Sequence, residues 1–188
     1  MAFPFFTIGH STRKVNELVD LLKREQVRLV VDVRTVPRSR SNPQFNCDVL
    51  PQMLAQDQLG YERIAALGGL RGKQHQVAQS VNAFWQNQSF HNYADYSLTE
   101  AFHSGLARLC TLGQEQSCAI MCAEAVWWRC HRRIIADYLL AAGETVSHIL
   151  GQGRIEPARM TSAARPGPDG SLTYPAGDRA DATLASPL

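Results

Sequence analysis

The chain has 188 residues, and its hydrophobic share of 45% and charged share of 19% are typical of a globular protein, not a disordered one. Lysine and arginine total 19 against 17 for aspartate and glutamate, and the net charge of +2 excludes a protein that relies on general attraction to nucleic acid or membranes. No apolar run approaches the ~20 residues that span a bilayer, and the N-terminus lacks a signal-peptide pattern, so we expect a cytoplasmic protein with no membrane partner.

The first elements alternate between strands and helices. Residues 3–8 are an apolar run that predicts a buried strand, and the apolar residues that follow recur at helical spacing. Residues 27–33 are rich in β-branched side chains and predict a central strand. The residues that close these two strands include Gly9, His10, Ser11, Asp32 and Arg34.

Two unusual loops come next. Residues 35–47 carry Arg38 and Arg40 with no acidic residue, and a connection of this length in a compact domain is often functional. A short helix and a strand over 61–66 follow, and the glycine-rich residues 67–72 form the second loop. Backbone amides of such a loop can hold phosphate, although Gly-Gly is more often only a turn.

The second half of the chain repeats the alternation. We expect a short helix over 79–88 and a longer one that opens at a capping box from Ser97 to Glu100 and ends at Gly113. Residues 118–122 predict a buried strand, and a helix to about Ala142 and a strand over 145–150 complete the pattern.

This order of elements predicts a three-layer α/β domain with a mainly parallel central sheet over residues 1–150. Residues 151–188 are rich in glycine and proline, and we expect a flexible C-terminal tail whose first dozen residues lie on the domain. In parallel sheets, ligands bind at the carboxyl ends of the strands, so the reactive side chains should meet at one edge.

Four of the five cysteines lie between residues 110 and 130, and the odd number favours free thiols. Cys122 closes a strand and faces the start of a helix, where the helix dipole and nearby amides lower the pKa of a thiol. Glu124 lies two residues further on. The alternative is that Cys122 is only a small buried apolar residue.

Cys130, His131 and Arg132 fall near the first turns of the last helix. Helical neighbours point about 100° apart, so Cys130 and His131 should not both aim at one point. Arg132 is either an anion clamp or part of a solvated face. We expect no metal, because cysteines 118 and 122 lie about 13 Å apart along a strand; the alternative is a catalytic metal held by His10, Asp32 and Cys122.

Asp32 and Arg34 allow two interpretations. They either form an internal ion pair that orders the following loop, or Arg34 joins Arg38 and Arg40 in a cationic lip for an anion. Gly69 and Arg71 of the glycine-rich loop would add to such a lip. Trp127 and Trp128 either stack on a base or anchor the core.

Together these motifs resemble the DUF488 family, a family of unknown function, over roughly residues 5–150. The resemblance implies an α/β domain that groups these residues, and it supplies no activity. The apolar residues 125–128 depart from the polar turn expected there. A looser likeness joins the chain to rhodanese-type domains, which share an Asp-x-Arg after a strand and a cysteine at a strand end. The residues that carry the family resemblance are Gly9-His10-Ser11, Asp32-Val-Arg34, Pro37 with Phe45, Leu67-Gly68-Gly69, Cys122-Ala-Glu124 and Cys130-His131-Arg132.

We therefore expect a thiol-dependent hydrolase or transferase for a small anionic molecule or nucleotide, one that contains a nucleotide, phosphate or sulfur group, without a cofactor. The alternative is a module that binds a nucleotide or nucleic acid at the same basic rim without chemistry. The predicted catalytic residues are Cys122, Glu124, Cys130, His131, His10 and Asp32. The predicted substrate-binding residues are Ser11, Arg34, Arg38, Gly69, Arg71 and Arg132.

Overall fold

A six-stranded sheet forms the middle layer of the computed structural model, which describes residues 3–151 and 153–177. None of the helices in these ranges is both long and apolar enough to cross a membrane. The sheet contains β1 (Phe5–Gly9), β2 (Leu29–Asp32), β3 (Gly60–Arg63), β4 (Cys118–Cys122), β5 (Val146–Gly151) and β6 (Arg154–Pro157). The helices are α1 (Val15–Arg24), α2 (Leu50–Ala55), α3 (Gln88–Tyr96), α4 (Glu100–Glu115) and α5 (Arg132–Ala141).

The strand order is β3-β2-β4-β1-β5-β6, and only β6 is antiparallel to its neighbour. The late strand β4 lies between β1 and β2, with Gly9 paired to Cys122 and Asp32 paired to Met121. The carboxyl ends of these three strands are therefore adjacent. Their closing residues, far apart in sequence, meet at one edge of the sheet, where ligands bind in folds of this type.

Helices cover both faces of the sheet, and each face has its own apolar core. One core joins α1 and α2 to side chains such as Ile8 and Val30, and the other joins α3, α4 and α5 to side chains such as Val31 and Ile120. Neighbouring residues of β2 point to opposite faces, as the pleat of a strand requires. The predicted three-layer α/β class with a mainly parallel sheet is confirmed.

Three local predictions differ from the structure. The helix expected over 79–88 lies at α3 instead, where the side chain of Asn87 caps it. Thr99, not Ser97, caps α4 through a hydrogen bond to the amide of Phe102. Gly113 lies inside α4, and a side chain there would collide with the ring of Phe5, so close packing explains this glycine.

The segment after β5 packs against the domain for longer than the dozen residues expected. Strand β6 extends the main sheet, and a small hairpin pairs β7 (Arg165–Pro166) with β8 (Leu172–Thr173). Leu172 and Tyr174 are fully buried, and the Tyr174 hydroxyl donates to Asp137 at 3.0 Å. The prediction of a flexible tail depended on the small number of large aliphatic residues and did not consider the aromatic Tyr174. The flexibility and the boundary of the tail stay predictions, and residues 178–188 lie outside the described residues.

Candidate active site

A cavity of about 510 Å³ opens at the carboxyl edge of β2 and β4. Its walls come from the loop after β2, the glycine-rich loop, the start of α3 and the segment between β4 and α5. Sequence positions separated by almost a hundred residues therefore share one space. Six of the predicted site residues line it: Arg34, Gly69, Cys122, Glu124, Cys130 and His131.

The first polar group at this edge, which we call the thiol cluster, consists of Cys122, Cys130, His131 and Arg132. Cys130 has extended backbone angles (φ −126°, ψ 145°), whereas His131 is helical (φ −57°, ψ −17°) and precedes the first residue of α5. The expectation that Cys130 and His131 point apart is wrong, because the pair precedes the helix. This change of backbone conformation brings both side chains to one point.

Polar atoms surround the sulfur of Cys130. Arg132 Nε donates to Cys130 Sγ at 3.2 Å, and His131 Nδ1 lies 3.6 Å from the same sulfur. His131 Nε2 lies 3.0 Å from the carbonyl of Val33, to which it donates a hydrogen bond. In the neutral ring Nδ1 then carries no proton and faces the thiol as an acceptor.

The two cysteines of the thiol cluster have opposite pKa shifts. Burial by itself raises the pKa of Cys130, but the hydrogen bond with Cys122, the Arg132 guanidinium and His131 outweigh it and bring that pKa well below its usual range. The hydrogen bond to Cys130, followed by burial, raises the pKa of Cys122. Cys130 is therefore the thiol of this pair that ionises more readily.

Gly69 fits the thiol cluster because it has no side chain. A Cβ at this position would collide with the imidazole of His131. The glycine-rich loop thus contacts the His131 ring directly and helps to hold it against Cys130. This role differs from the phosphate cradle that the sequence allows.

The side chains of Cys122, Cys130 and His131 are also the one group in the described ranges whose atoms could hold a metal ion, since their ligand atoms lie within 4.8 Å of one another. The sets considered from sequence spacing are not brought together in this way. His10 and Asp32 point their polar atoms at Arg34 instead.

The second polar group, which we call the ion-pair cluster, consists of His10, Asp32, Arg34 and Tyr61. Arg34 donates from Nε and Nη2 to the two carboxylate oxygens of Asp32 at 2.9 and 2.6 Å. Arg34 also donates to His10 Nε2 at 3.1 Å, and Tyr61 donates to Asp32 at 2.7 Å. Asp32 is fully buried, and the carboxylate has a partner on each oxygen.

The ion-pair cluster holds the loop after β2 in place through hydrogen bonding and ring stacking. Arg34 Nη2 donates to the carbonyl of Phe45 at 2.7 Å, and the ring of Phe45 stacks on His10 with centroids 4.3 Å apart. Burial, reinforced by the Arg34 guanidinium, lowers the pKa of His10 to about 4. His10 is therefore neutral near pH 7, and the internal ion-pair interpretation describes how Asp32 and Arg34 are arranged.

The other predicted binding residues lie away from the cavity lining. Arg38 is exposed and pairs with Asp48 at 3.1 Å. Arg71 donates to the carbonyls of residues 65, 66 and 68 and lies over the ring of Tyr96, so it holds the glycine-rich loop. Ser11 has a left-handed backbone (φ 49°), and its carbonyl accepts from His10 Nδ1 at 2.9 Å.

The structure adds an apolar collar that the sequence did not identify. Val36, Leu70 and Trp128 line the cavity, yet 61%, 72% and 44% of their respective surfaces are exposed. Of the tryptophan pair, Trp127 stacks on His148 at 4.3 Å, whereas Trp128 lies at the cavity. Arg129 lines the cavity as well. In the sequence, only the pair of tryptophans indicated an aromatic residue at the cavity. The exposed aliphatic residues come from two separate loops, so no sequence pattern connects them.

Comparison with known proteins gives one match. A family model described as "Domain of unknown function DUF488" matches residues 14–139. No curated protein and no solved structure matches the chain. The looser likeness to rhodanese-type domains has no support from these comparisons. The matched residues include the ion-pair cluster apart from His10 and the whole thiol cluster.

Proposed function

This chain belongs to the DUF488 family, and we propose that its cavity is the active site of a thiolate-dependent hydrolase or transferase. The observation that carries the proposal is the environment of the Cys130 sulfur, which has Arg132 Nε at 3.2 Å and His131 Nδ1 at 3.6 Å. A buried structural cysteine needs neither partner. A nucleophilic cysteine needs both, because the thiolate is the reactive form.

Cys130 is the nucleophile in this proposal. Its surface is only 4% exposed, and the side chain lines the cavity, so a substrate reaches the sulfur from that side alone. The positive end of the α5 dipole lies next to it and adds to the effect of Arg132. The first step joins the sulfur to an electrophilic centre of the substrate and expels a leaving group.

His131 manages the proton of this reaction. Its Nδ1 takes the thiol proton and can return it to the leaving group, because Nε2 remains committed to the carbonyl of Val33. The arrangement of nucleophile, base and orienting acceptor follows the logic of catalytic triads. Glu124 lines the same cavity and is placed to act on water in a hydrolytic second step.

The cavity favours an anionic substrate with an apolar part. Arg34 and Arg129 contribute positive charge to its lining, and the collar of Val36, Leu70 and Trp128 offers apolar contact at its edge. A small ester or disulfide with an aromatic arm, or a nucleotide, satisfies both requirements. The chemistry needs reduced thiols, so the expected cytoplasmic location belongs to this proposal.

The alternative, a module that binds a nucleotide or nucleic acid, draws less support from the same contacts. It depends on a broad basic rim, whereas Arg38 pairs with Asp48 and Arg71 is occupied by backbone carbonyls. It also leaves the surroundings of Cys130 without a purpose. Binding that survives replacement of Cys130 would favour this alternative.

The test is the rate at which each cysteine of the native protein is alkylated as a function of pH, with peptide mass spectrometry as the readout. Iodoacetamide and the anionic iodoacetate are compared as probes. We expect Cys130 to react at a pH well below the ~8.5 at which a free thiol ionises. We also expect the preference for iodoacetate over iodoacetamide to be higher at Cys130 than at Cys110.

Cys110 is the matched internal control because it lies outside the cavity and burial raises its pKa. Replacement Cys110→Ser should leave the profile of Cys130 unchanged. Replacement His131→Gln should move the reaction of Cys130 to higher pH. If Cys130 stays inert until the protein unfolds, the thiolate mechanism is wrong and the binding module becomes the better description.

A further inference from the structure

The thiol cluster contains a second sulfur that a simple hydrolase does not require. Cys122 lies at the end of β4, Cys130 follows eight residues later, and both side chains line the cavity. Their sulfur atoms lie within 4.8 Å of each other, and both thiols are free. The fold therefore holds a second free thiol beside the proposed nucleophile.

From this placement we propose that Cys122 is a resolving thiol and that the substrates are small anionic disulfides. The inference rests on the proposed function, because it needs Cys130 as the attacking group. It adds a second catalytic residue and a substrate class. The apolar collar and the arginines at the cavity suit a disulfide with one aromatic or aliphatic arm and one carboxylate.

The reaction has two balanced steps. Cys130 attacks as a thiolate, its proton held by His131, and forms a mixed disulfide with one substrate sulfur while the other arm leaves as a thiolate that takes this proton. Cys122 then gives its own proton to His131 and attacks the Cys130 sulfur, which forms the Cys122–Cys130 disulfide; the second arm leaves as a thiolate and takes that proton from His131. The protein loses two electrons to the substrate, and an external dithiol reductant returns them for the next cycle.

The geometry favours the direction of these steps. Arg132 donates to Cys130 Sγ and lowers the energy of a negative charge there, so Cys130 is the sulfur that attacks first. The end of β4 and the turn before α5 hold Cys122 close to the mixed disulfide. Its attack is intramolecular, and proximity of this kind greatly raises the rate of a second step.

The probe is DTNB, an aromatic disulfide with one carboxylate on each arm, used on protein in which Cys47 and Cys110 are replaced by serine. These two cysteines lie outside the cavity lining and would add a background signal. We expect the cavity pair to release both TNB arms and to retain none. The second release should proceed at a rate independent of DTNB concentration, and mass spectrometry should locate a link between Cys122 and Cys130.

The matched variant adds Cys122→Ser to the same protein. We expect it to release one arm and to keep the other arm on Cys130. Cys122→Ala serves as a second variant, and circular dichroism verifies that each is folded. The addition of dithiothreitol should restore both thiols of the parent protein.

The outcomes separate the two proposals. If Cys130 of the parent protein takes up an arm and keeps it, Cys122 does not resolve it and the disulfide inference is overturned, while the thiolate site stands. If Cys130 does not react with DTNB although the protein is folded, both proposals fail at the first step. The variant Cys130→Ser checks which cysteine attacks first. If it still releases an arm rapidly, Cys122 is the attacking thiol, the assigned roles are reversed and the inference is overturned.

Discussion

Two polar clusters lie side by side at the carboxyl edge of the sheet, and they differ in how their polar atoms are occupied. In the ion-pair cluster, Asp32 is fully buried and meets Arg34 and Tyr61 with both carboxylate oxygens. In the thiol cluster, the Cys130 sulfur accepts a hydrogen bond from Arg132 and also lines the cavity. The first cluster is closed by protein groups, and the second remains open to a ligand.

This difference shows what strand-end position means in such a fold. Parallel strands gather polar residues at one edge, but that position alone does not distinguish residues that fix loops from residues that meet a substrate. Arg34 belongs to both settings, because it binds Asp32 and also lines the cavity. A better criterion is whether protein groups already occupy the hydrogen-bonding atoms of a side chain. Substitutions in each of the two clusters test this criterion.

The largest expected effect is on stability and comes from the ion-pair cluster. Asp32→Asn leaves the buried Arg34 guanidinium without a countercharge, and loss of one partner of a buried pair costs about 3–5 kcal/mol. We expect the urea midpoint of unfolding to fall accordingly. The measurement is chemical denaturation followed by circular dichroism at pH 7.

Arg38→Ala provides the control for this substitution. Its ion pair with Asp48 is exposed, with side-chain exposures of 61% and 52%, and such pairs contribute at most about 1 kcal/mol. A similar loss of stability from Arg38→Ala and Asp32→Asn would contradict the structural role given to the buried cluster.

The next effect is on the pH dependence of stability, to which the two clusters contribute in different pH ranges. The pKa of His10 falls from 6.5 to about 4 on folding, so between these values the unfolded chain binds more protons and stability declines as the pH falls. His148, whose pKa burial also lowers to about 4, acts in the same window. Each ring accounts for a loss of up to about 3 kcal/mol in the free energy of unfolding as the pH falls through this window.

Cys130 affects stability at higher pH, and its contribution also declines as the pH falls. Its pKa lies well below the ordinary 9.0, so its contribution is complete above pH 9 and declines as the pH falls toward the folded value. Unfolding free energies measured from pH 9 to pH 4 test both windows. Cys130→Ser should flatten the upper part and leave the lower part, whereas Cys110→Ser should change neither window in this way.

The smallest effect tests the contact between the glycine-rich loop and the thiol cluster. Gly69→Ala forces a methyl group against the His131 ring, and overpacking of this kind costs about 1–3 kcal/mol. The displaced ring should also slow alkylation of Cys130 at pH 7. Gly72→Ala is the matched control, because a methyl group there meets open space; equal behaviour of the two variants would contradict the proposed contact.

Much of the fold could be predicted because its signals are local. The apolar spacing of α1 and the β-branched run around β2 depend on nearby residues only, and Gly143, with φ +84°, ends the last helix as its position predicts. The position of α3 could not be found in this way. Its residues mix polar and aromatic types, and Asn87, the residue that caps it, resembles any loop asparagine.

The candidate site was predicted in part for the same reason. Strand ends located Cys122 and Arg34 correctly at the cavity, while the separate uses of Arg38 and Arg71 depend on partners distant in the chain. The meeting of Cys130 and His131 required the extended backbone before α5, which helical periodicity cannot show.

The central position of β1 has a consequence for how the chain folds. Phe5 pairs with Cys118 on one side and with Val146 on the other, so the strand made first has no neighbours in the sheet until most of the chain has been synthesised. Contacts this distant in sequence slow folding, since a long loop must close before they form. The matched segment 14–139 omits β1 and β5, so it leaves out the strand that joins β4 to the far side of the sheet.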